Sequence, residues 1–479
     1  MNFIDKDLVS VQESRILLER AAGARDRLAG YPQERLDAAA EAVYQAVSGR
    51  LAEFAGWAVA ETGYGNAEDE TRQLEHLLRA QMAGLRKTVC VGVLREDDRQ
   101  RIREIGVPLG IAVVLCPAVS SAAAAVSLAL TCMKSGNAAV FIPEARAART
   151  VSRVLGVIRT AAAAAGYPEE ALSCQETVSV SGCEEAILHK AVSVVINLGV
   201  KPLLPVCYHS GKPVFYGGTG PSPVFIERTA QIGQAVEDII ASRSFNYGMM
   251  PGAEQYVVAD SQIAHTVRTA MEAAGAYFMA AEEEVQLLSF LCPGKDRMDE
   301  EYIGKPAVWL ARQAGFAVPQ ETRVLVSEKH YIADRNPYAR ELRCPVLAFY
   351  IENDWMYACE RCMNLLVQES KGHTLVIHSR DEEVIRQFAM KKPVARMLVN
   401  TQAVQGAMGL TTDFEPAVGL GGLTAGQGMT ADNITPSHLV YVRRVGYGVP
   451  EIKDNQDGSE NHEMIKRLLG ELLRELNNQ

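Results

Sequence analysis

Three short apolar stretches, GIAVVLCP (110–117), GNAAVFIP (136–143) and AVSVVINLG (191–199), are separated by alanine-rich segments with helical spacing. Each is apolar on both faces, which a strand tolerates when helices cover both sides of its sheet. The alternation therefore predicts an α/β fold built on a parallel, helix-covered sheet. TVSVSG (177–182) reads as a further strand of that sheet. A second α/β pattern follows. QYVVAD, TRVLVSE, CPVLAFYIE, HTLVIHS and ARMLVN read as strands, with QIAHTVRTAMEAAG and ACERCMNLLVQE as helices between them.

Residues 6–90 are helical in pattern. DAAAEAVYQAVSGRLAEFAGWAVAETGYG has apolar positions three and four apart and stops at glycines. GGTGPSPVFIE (217–227) reads as a loop into the second region. GLGGLTAGQGMTADN (419–433) must also be a loop, because that much glycine destabilises helix and strand alike. PEIKDNQDGSEN (450–461) is polar and breaker-rich, a linker by composition. The tail HEMIKRLLGELLRELNNQ puts Met464, Ile465, Leu468, Leu469, Leu472, Leu473 and Leu476 on one helical stripe. Lys466, Arg467, Glu471, Arg474 and Glu475 fall opposite.

A chain of 479 residues is long enough for roughly two or three domains. Its formal charge of −10 argues against nucleic acid or an anionic membrane as partner. The N-terminus is acidic early and has no continuous apolar core, unlike a secretory signal. AVSSAAAAVSLALTCM reads as a buried helix, not a membrane span. Ten cysteines without framework spacing suit reduced thiols, so a cytoplasmic location is expected.

Strand-turn-helix units in series can offer backbone N–H groups and helix N-termini to phosphates. The chain has no G-x-G-x-x-G after a strand and no P-loop, so a sheet without a nucleotide stays an alternative. No metal site is expected. Cys359 and Cys362 form CERC on a helical pattern, and a zinc or redox role would need a second pair or another context. Cys292 has no visible base nearby. His373 and His378 share one predicted strand, where packing and hydrogen bonding explain them.

ETGYGNAED, KTVCVGVLREDD, VPLGIAVVLCP, SGNAAVFIPEARA, SGKPVFYGGTGPSPVFIERTA, SFNYGMMPGAEQYVV, GAYFM, ELRCPVLAFY, GHTLVIHS and ADNITPSHL, in that order and spacing, resemble the CoA-acylating branch of the aldehyde dehydrogenase superfamily, the acetaldehyde and propionaldehyde dehydrogenases. The resemblance covers roughly residues 10–446. It implies two Rossmann-like domains with parallel sheets plus a small oligomerisation arm. Residues 1–225 with 411–446 would be the cofactor-binding type, 226–410 the catalytic type, 447–461 a linker and 462–479 an amphipathic helix. An arm around 95–107 and the segment near 436–447 would build a homo-oligomer, dimer or tetramer. The implied chemistry is attack of a cysteine thiolate on an aldehyde, an oxyanion held by a backbone N–H and an Asn amide, hydride transfer to NAD, and release of the thioester to CoA.

The chain departs from that pattern at the reacting positions. Against F-D-N-G-x-x-C-x-x-E-Q, FNYGMMPGAEQ aligns without a gap and puts Pro251 where the cysteine belongs. Proline has neither a nucleophilic group nor an N–H. Ser120 stands where the resemblance places the oxyanion Asn. The dinucleotide turn T-G-G-P-G is matched by Leu198, Gly199, Val200, Lys201 and Pro202, with Pro205 soon after. S-P-H-P near the adenosine becomes Ile142, Pro143, Glu144 and Ala145. Glu341 in ELRCPVL matches the glutamate that binds the nicotinamide ribose; a surface or salt-bridged glutamate is the alternative. Cys116 and Pro117 end a strand facing the expected cofactor cleft, and Cys344 lies near Glu341. Either thiol can be read as a stand-in for the nucleophile or as a small core residue.

Three readings follow. The chain is an NAD-dependent, CoA-acylating oxidoreductase of a short aldehyde with altered or residual activity; an inert pseudoenzyme that is the structural or assembly partner of an active aldehyde dehydrogenase; or a nucleotide- or CoA-binding protein without turnover. The absent nucleophile favours the last two. The terminal helix either docks on its own protein or a sister subunit, or resembles the encapsulation peptides of bacterial microcompartment enzymes. In that case its leucine stripe would pair with a shell or with another tail, inside a bacterial microcompartment.

Overall fold

The computed structural model describes residues 5–97, 101–293, 297–333, 336–368, 372–422, 428–448 and 457–476. Four helices come first: α1 (Lys6–Leu28), α2 (Gln33–Ser48), α3 (Leu51–Thr62) and α4 (Ala67–Leu85). The Asp5 carboxylate accepts from the Asp7 and Leu8 N–H groups and starts α1. Asn66 caps α4 by accepting from Asp69 N at 2.8 Å. Helix α3 stops at Gly63, whose φ of 71° is the left-handed conformation a C-terminal turn needs.

Strands β1 (Gly92–Asp97) and β2 (Ile102–Pro108) precede the first parallel sheet. That sheet is β3 (Ile111–Cys116), β4 (Ala138–Pro143), β5 (Leu172–Cys174), β6 (Val194–Asn197) and β7 (Val214–Tyr216), in the order β5-β4-β3-β6-β7. Every β3, β4 and β6 residue is buried, as the two-sided apolar pattern requires. Helix α5 (Ser121–Lys134), between β3 and β4, is buried along its whole length. Its one charge, Lys134, is held by Asp37 at 2.6 Å. After α6 (Ala148–Ala164), the structure departs from the sequence expectation. TVSVSG is not a strand: Ser179 Oγ accepts from Gly182 N and caps α7 (Val180–Leu188), while the strand lies earlier, at β5. A serine that satisfies a first-turn N–H outweighs so short an alternation. The helix α8 (Leu204–His209) links β6 to β7.

The second sheet is also wholly parallel, with the order β10-β11-β12-β9-β8-β13-β14. Its strands are β8 (Ser222–Ile226), β9 (Glu254–Asp260), β10 (Ala276–Phe278), β11 (Val324–Lys329), β12 (Val346–Glu352), β13 (Thr374–His378) and β14 (Arg396–Val399). The covering helices are α9 (Ile232–Ser244), α10 (Ala264–Ala273), α11 (Ala281–Leu291), α12 (Ala307–Ala314), α13 (Trp355–Leu366) and α14 (Glu382–Lys391). In the first sheet the chain moves outward from β3 on one side and returns on the other, so β3 and β6 flank a topological switch point. Their carboxyl ends open the crevice where α/β folds bind ligands.

The chain divides into two compact units. The larger, Met1–Gly92 with Gly106–Tyr441, contains both parallel sheets; the smaller is Val93–Ile105 with Val442–Gln479. The smaller unit carries most of a three-stranded sheet, order β1-β2-β15, where β15 is Val440–Gly446. Residues 98–100 of the expected arm lie outside the described residues. The C-terminal helix spans Asp457–Leu476, so residues 457–461, expected in the linker, are helical. A nucleated helix extends past its apolar stripe at little cost. Met464, Ile465, Leu468, Leu469 and Leu473 on that stripe are exposed. The side chains of Leu472 and Leu476, linker residues 449–456 and residues 423–427 of the glycine-rich loop lie outside the described residues. Among the described residues no helix is long and apolar enough to cross a membrane.

Candidate functional site

From the end of β3 the chain passes through Pro117 and turns at Ser120 into α5. Ser120 sits at φ 48°, ψ 40°, left-handed space that a non-glycine residue rarely occupies. Its Oγ lies 3.1 Å from Gln73 Oε1, 3.3 Å from Glu70 Oε1 and 3.3 Å from Met250 Sδ. From the other sheet, α9 ends and the chain runs through Asn246 (φ 49°), Tyr247 (φ 51°) and Gly248 (φ 71°) toward Pro251 and β9. Three successive left-handed residues, two of them not glycine, store about 1–3 kcal/mol each where a side chain is present.

The bonds that hold this strain come from the start of α4. Asn246 N donates to Asp69 Oδ2 at 2.8 Å, Asn246 Nδ2 donates to Glu70 Oε1 at 2.7 Å, and Asn66 N donates to Asn246 Oδ1 at 2.8 Å. Glu70 is fully buried. Burial pushes its carboxyl up to about 7, against the opposing pull of the Asn246 and Ser120 hydrogen bonds. Gly248 is required sterically as well: a Cβ there would lie 2.6 Å from the Cys344 carbonyl carbon.

Pro251 and Ser120 face a shared cavity of about 40 Å³, with Pro117, Leu198, Thr219 and Met250 also on its wall. That is room for about one to three waters. Leu198 packs tightly against two glycines of this region. Its Cδ2 stands so near Gly217 and Gly419 that a Cβ on either would meet it at 2.9 and 3.1 Å. His373 borders the same loop. A Cβ on Gly252, next to Pro251, would meet its Cε1 at 3.1 Å, and one on Gly218 its Cδ2 at 2.8 Å. Arg396 Nη1 donates to His373 Nδ1 at 3.0 Å, and Thr374 Oγ1 is 2.7 Å from the same nitrogen. Burial, helped by the Arg396 charge, drops the His373 imidazole to about 3, so it is neutral.

Among the described residues no thiol lines this cavity. Cys116 and Cys344 are fully buried. Desolvation raises the Cys116 thiol far above the ordinary range and Cys344 to about 12, so neither supplies a thiolate. Cys116 was expected to face the cofactor cleft. Its side chain instead is enclosed in the core at the end of a strand buried on both faces.

Beyond the cavity lies a groove of about 470 Å³, lined by Ile142, Glu144, Arg146, Val200, Pro202 and Arg343 among others. The first turn of α7, at Ser179 and Val180, also opens on it. Glu144 Oε2 accepts from Ala118 N at 2.6 Å. Arg343 Nε donates to Glu341 Oε2 at 3.2 Å, and Gly220 N donates to Glu341 Oε1 at 3.1 Å. The groove has the size and the donors for a nucleotide, whereas the small cavity has no room for a nicotinamide ring beside a substrate.

The structure thus brings Pro251, Ser120 and Pro117 together on one wall and Ile142 with Glu144 on another. Glu341 and Gly199 line neither cavity. Gly199, at φ 82°, would put a Cβ 2.6 Å from Thr219 Cγ2. Sequence reasoning did not single out Glu70, Gln73, Asn246, Thr219 or Arg343, and read His373 as a packing residue. Glu70 and Asn246 are 176 positions apart, and nothing local links them. For His373 there was a signal, a polar residue beside Gly372 at the head of a buried strand.

No family model matches the chain. Over 94% of this chain and 100% of the other, it superposes on the acetylating aldehyde dehydrogenase of Geobacillus thermoglucosidasius with TM-score 0.91 and 32% identity. It matches the probable aldehyde dehydrogenase of Listeria monocytogenes EGD-e over 95% and 100% of the two chains, with TM-score 0.91 and 36% identity. It is 29% identical over 443 residues to the bifunctional aldehyde-alcohol dehydrogenase AdhE of Escherichia coli (strain K12), covering 91% of this chain and 50% of that protein. The chain therefore spans about half the length of that curated relative.

Proposed function

The chain belongs to the acylating aldehyde dehydrogenase family, and within it we propose a member that has given up aldehyde oxidation and serves as a nucleotide- or CoA-binding assembly partner. One observation carries this reading. Pro251, at the position the motif alignment assigns to the nucleophile, is on the cavity wall beside Ser120, and among the described residues no thiol lines that wall. Thioester formation needs a sulfur nucleophile, which proline does not supply. Proline also lacks the N–H that would steady an oxyanion from that position. The Ser120 hydroxyl is engaged with Gln73, Glu70 and Met250. Leu198 lines the same cavity, whose volume of about 40 Å³ leaves no room for a nicotinamide ring beside a substrate.

The groove around Ile142, Glu144 and Arg343 supports retained binding of CoA, or of the adenosine half of NAD. The exposed apolar stripe of the C-terminal helix supports an assembly role, through residues 462–479, with a microcompartment shell or an active homologue. The arm strands support a homo-oligomer by the same family resemblance.

Two measurements test the reading. With short aldehydes, NAD and CoA, the purified protein should form no NADH, whereas CoA alone should raise its melting temperature through mass action. Aldehyde- and CoA-dependent NADH formation would overturn it. For the tail, a fluorescent protein carrying residues 450–479 should collect at assembled shells; a diffuse signal removes that part of the proposal.

A further inference from the structure

Away from both cavities, Lys392, the residue that ends α14, reaches the first half of α13. Lys392 and Cys359 are 8% and 6% exposed. Lys392 Nζ lies 2.7 Å from the Cys359 carbonyl oxygen and 2.7 Å from Cys359 Sγ. The first distance is an ordinary hydrogen bond to oxygen. The second is not an ordinary contact, because sulfur is the larger atom. Elsewhere nitrogen and oxygen stand off sulfur by 3.2 Å (Val214 N to Met429 Sδ), 3.3 Å (Ser120 Oγ to Met250 Sδ) and 3.8 Å (Asn197 Nδ2 to Cys207 Sγ). Among the described residues the Lys392 amine has no carboxylate partner. It sits 4.5 Å from the centre of the Phe388 ring.

We propose that Cys359 and Lys392 are a site of oxidative modification, at which one oxygen atom bridges Nζ and Sγ covalently. A single bridging atom holds nitrogen and sulfur inside van der Waals contact without bonding them directly, and that is the separation observed. The step balances with dioxygen as oxidant: Lys–NH₂ + Cys–SH + O₂ gives Lys–NH–O–S–Cys + H₂O. One N–H bond and the S–H bond break, and N–O and S–O bonds form. Nitrogen and sulfur each lose two electrons. One oxygen atom stays in the bridge, and the other leaves as water with the two hydrogens. The bridge closes a loop between positions 33 residues apart, so it restricts the unfolded chain as a disulfide would. Helix α13 packs on β8 and β9, so the link braces the second sheet without entering the cavity at Pro251.

The test is peptide mass spectrometry on full-length protein purified in air and digested without reductant. The expected product joins the Cys359 and Lys392 peptides, with a mass equal to their sum plus one oxygen minus two hydrogens. A thiol reductant should separate them and lower the melting temperature of the wild-type protein. Cys359→Ser should show neither the linked product nor the reductant-dependent melting shift. The proposal is overturned if Cys359 of air- and peroxide-treated protein still alkylates freely, if it carries only sulfinic or sulfonic acid, or if it pairs with Cys362 as a disulfide. The wild-type comparison decides the matter even where the variant folds poorly.

Discussion

Asn246 donates its side-chain amide to Glu70 at 2.7 Å, and this bond ties the left-handed turn before Pro251 to the first turn of α4. The loop keeps a costly backbone even though the residue it presents has no reacting group. Such strain persists only where neighbours over-determine it. Here Asp69, Glu70 and Asn66 do so.

Glu70 makes stability depend on pH in a definite direction. Burial raises its carboxyl from 4.5 to about 7, so the folded state holds a proton that the unfolded chain releases. Its contribution is complete below the unfolded value and is lost as pH rises through about 7. Glu254, also fully buried and raised to about 7 by burial, acts in the same sense. Glu70→Gln keeps an acceptor for Asn246 without the charge. It should be more stable than wild type at about pH 8 by about 1–3 kcal/mol, and nearly unchanged at about pH 4. Urea denaturation at the two pH values checks this; an equal effect at both would mean that Glu70 does not hold its proton in the folded state.

A thiol placed at position 251 should not by itself give turnover. Pro251→Cys is expected to give a thiol that alkylates slowly and to form no NADH from acetaldehyde, NAD and CoA, because the cavity it faces, with Leu198 on its wall, is still only about 40 Å³. Any activity should emerge only when Leu198→Thr is added. The single variant should lose about 0.4–1 kcal/mol as the unfolded chain gains freedom. Steady-state NADH formation by the single variant at the level of the double variant would show that Leu198 is not the obstruction.

Two glycines should respond oppositely to alanine. Gly248 has φ 71° and would press a Cβ onto the Cys344 backbone at 2.6 Å. Gly248→Ala should cost about 3 kcal/mol or more, since strain and overlap add. Gly84 lies inside α4 with nothing within 4 Å of the Cβ position. Gly84→Ala should stabilise by about 0.5–1 kcal/mol. Thermal melts of the two variants, measured together, test whether the Gly248 effect is local strain and not a general intolerance of added methyl groups.

Most strands of the two parallel sheets were legible because strands buried on both faces are written as unbroken apolar runs, as in Ile111–Cys116 and Ala138–Pro143; β8 (Ser222–Ile226) was not, because the glycines and prolines of GGTGPSPVFIE (217–227) read as a loop. The strand expected at TVSVSG was misread because a capping serine and a short alternation look alike until Gly182 N finds Ser179 Oγ. Pro251 and Ser120 were found by motif alignment, which needs no tertiary information. The same reasoning could not see that Leu198 reaches over Gly217, or that the carboxylate holding Asn246 comes from α4. Those relations exist only after two sheets and a helical region have packed. Cys116 shows the converse: its place at a strand end was right, but which way its side chain is enclosed depends on helices on both faces of the sheet.

The groove offers the most direct test of retained binding. Glu144 places a carboxylate on its wall and spends one oxygen on Ala118 N at 2.6 Å, and Arg343 lines the same groove. A polyanion such as CoA would meet both charges. Glu144→Gln removes the repulsion, and its amide oxygen can still accept from Ala118 N. It should tighten CoA binding about fivefold, the effect of roughly 1 kcal/mol between partly exposed charges. Arg343→Met should weaken binding by at least as much. Both changes should shrink as salt rises past about 0.5 M, because the interacting charges are reached by solvent. Isothermal titration with CoA at low and high salt reads all of these. Equal affinity in the wild type and both variants would place the ligand elsewhere, and would leave the groove as a vestige of a cofactor the chain no longer holds.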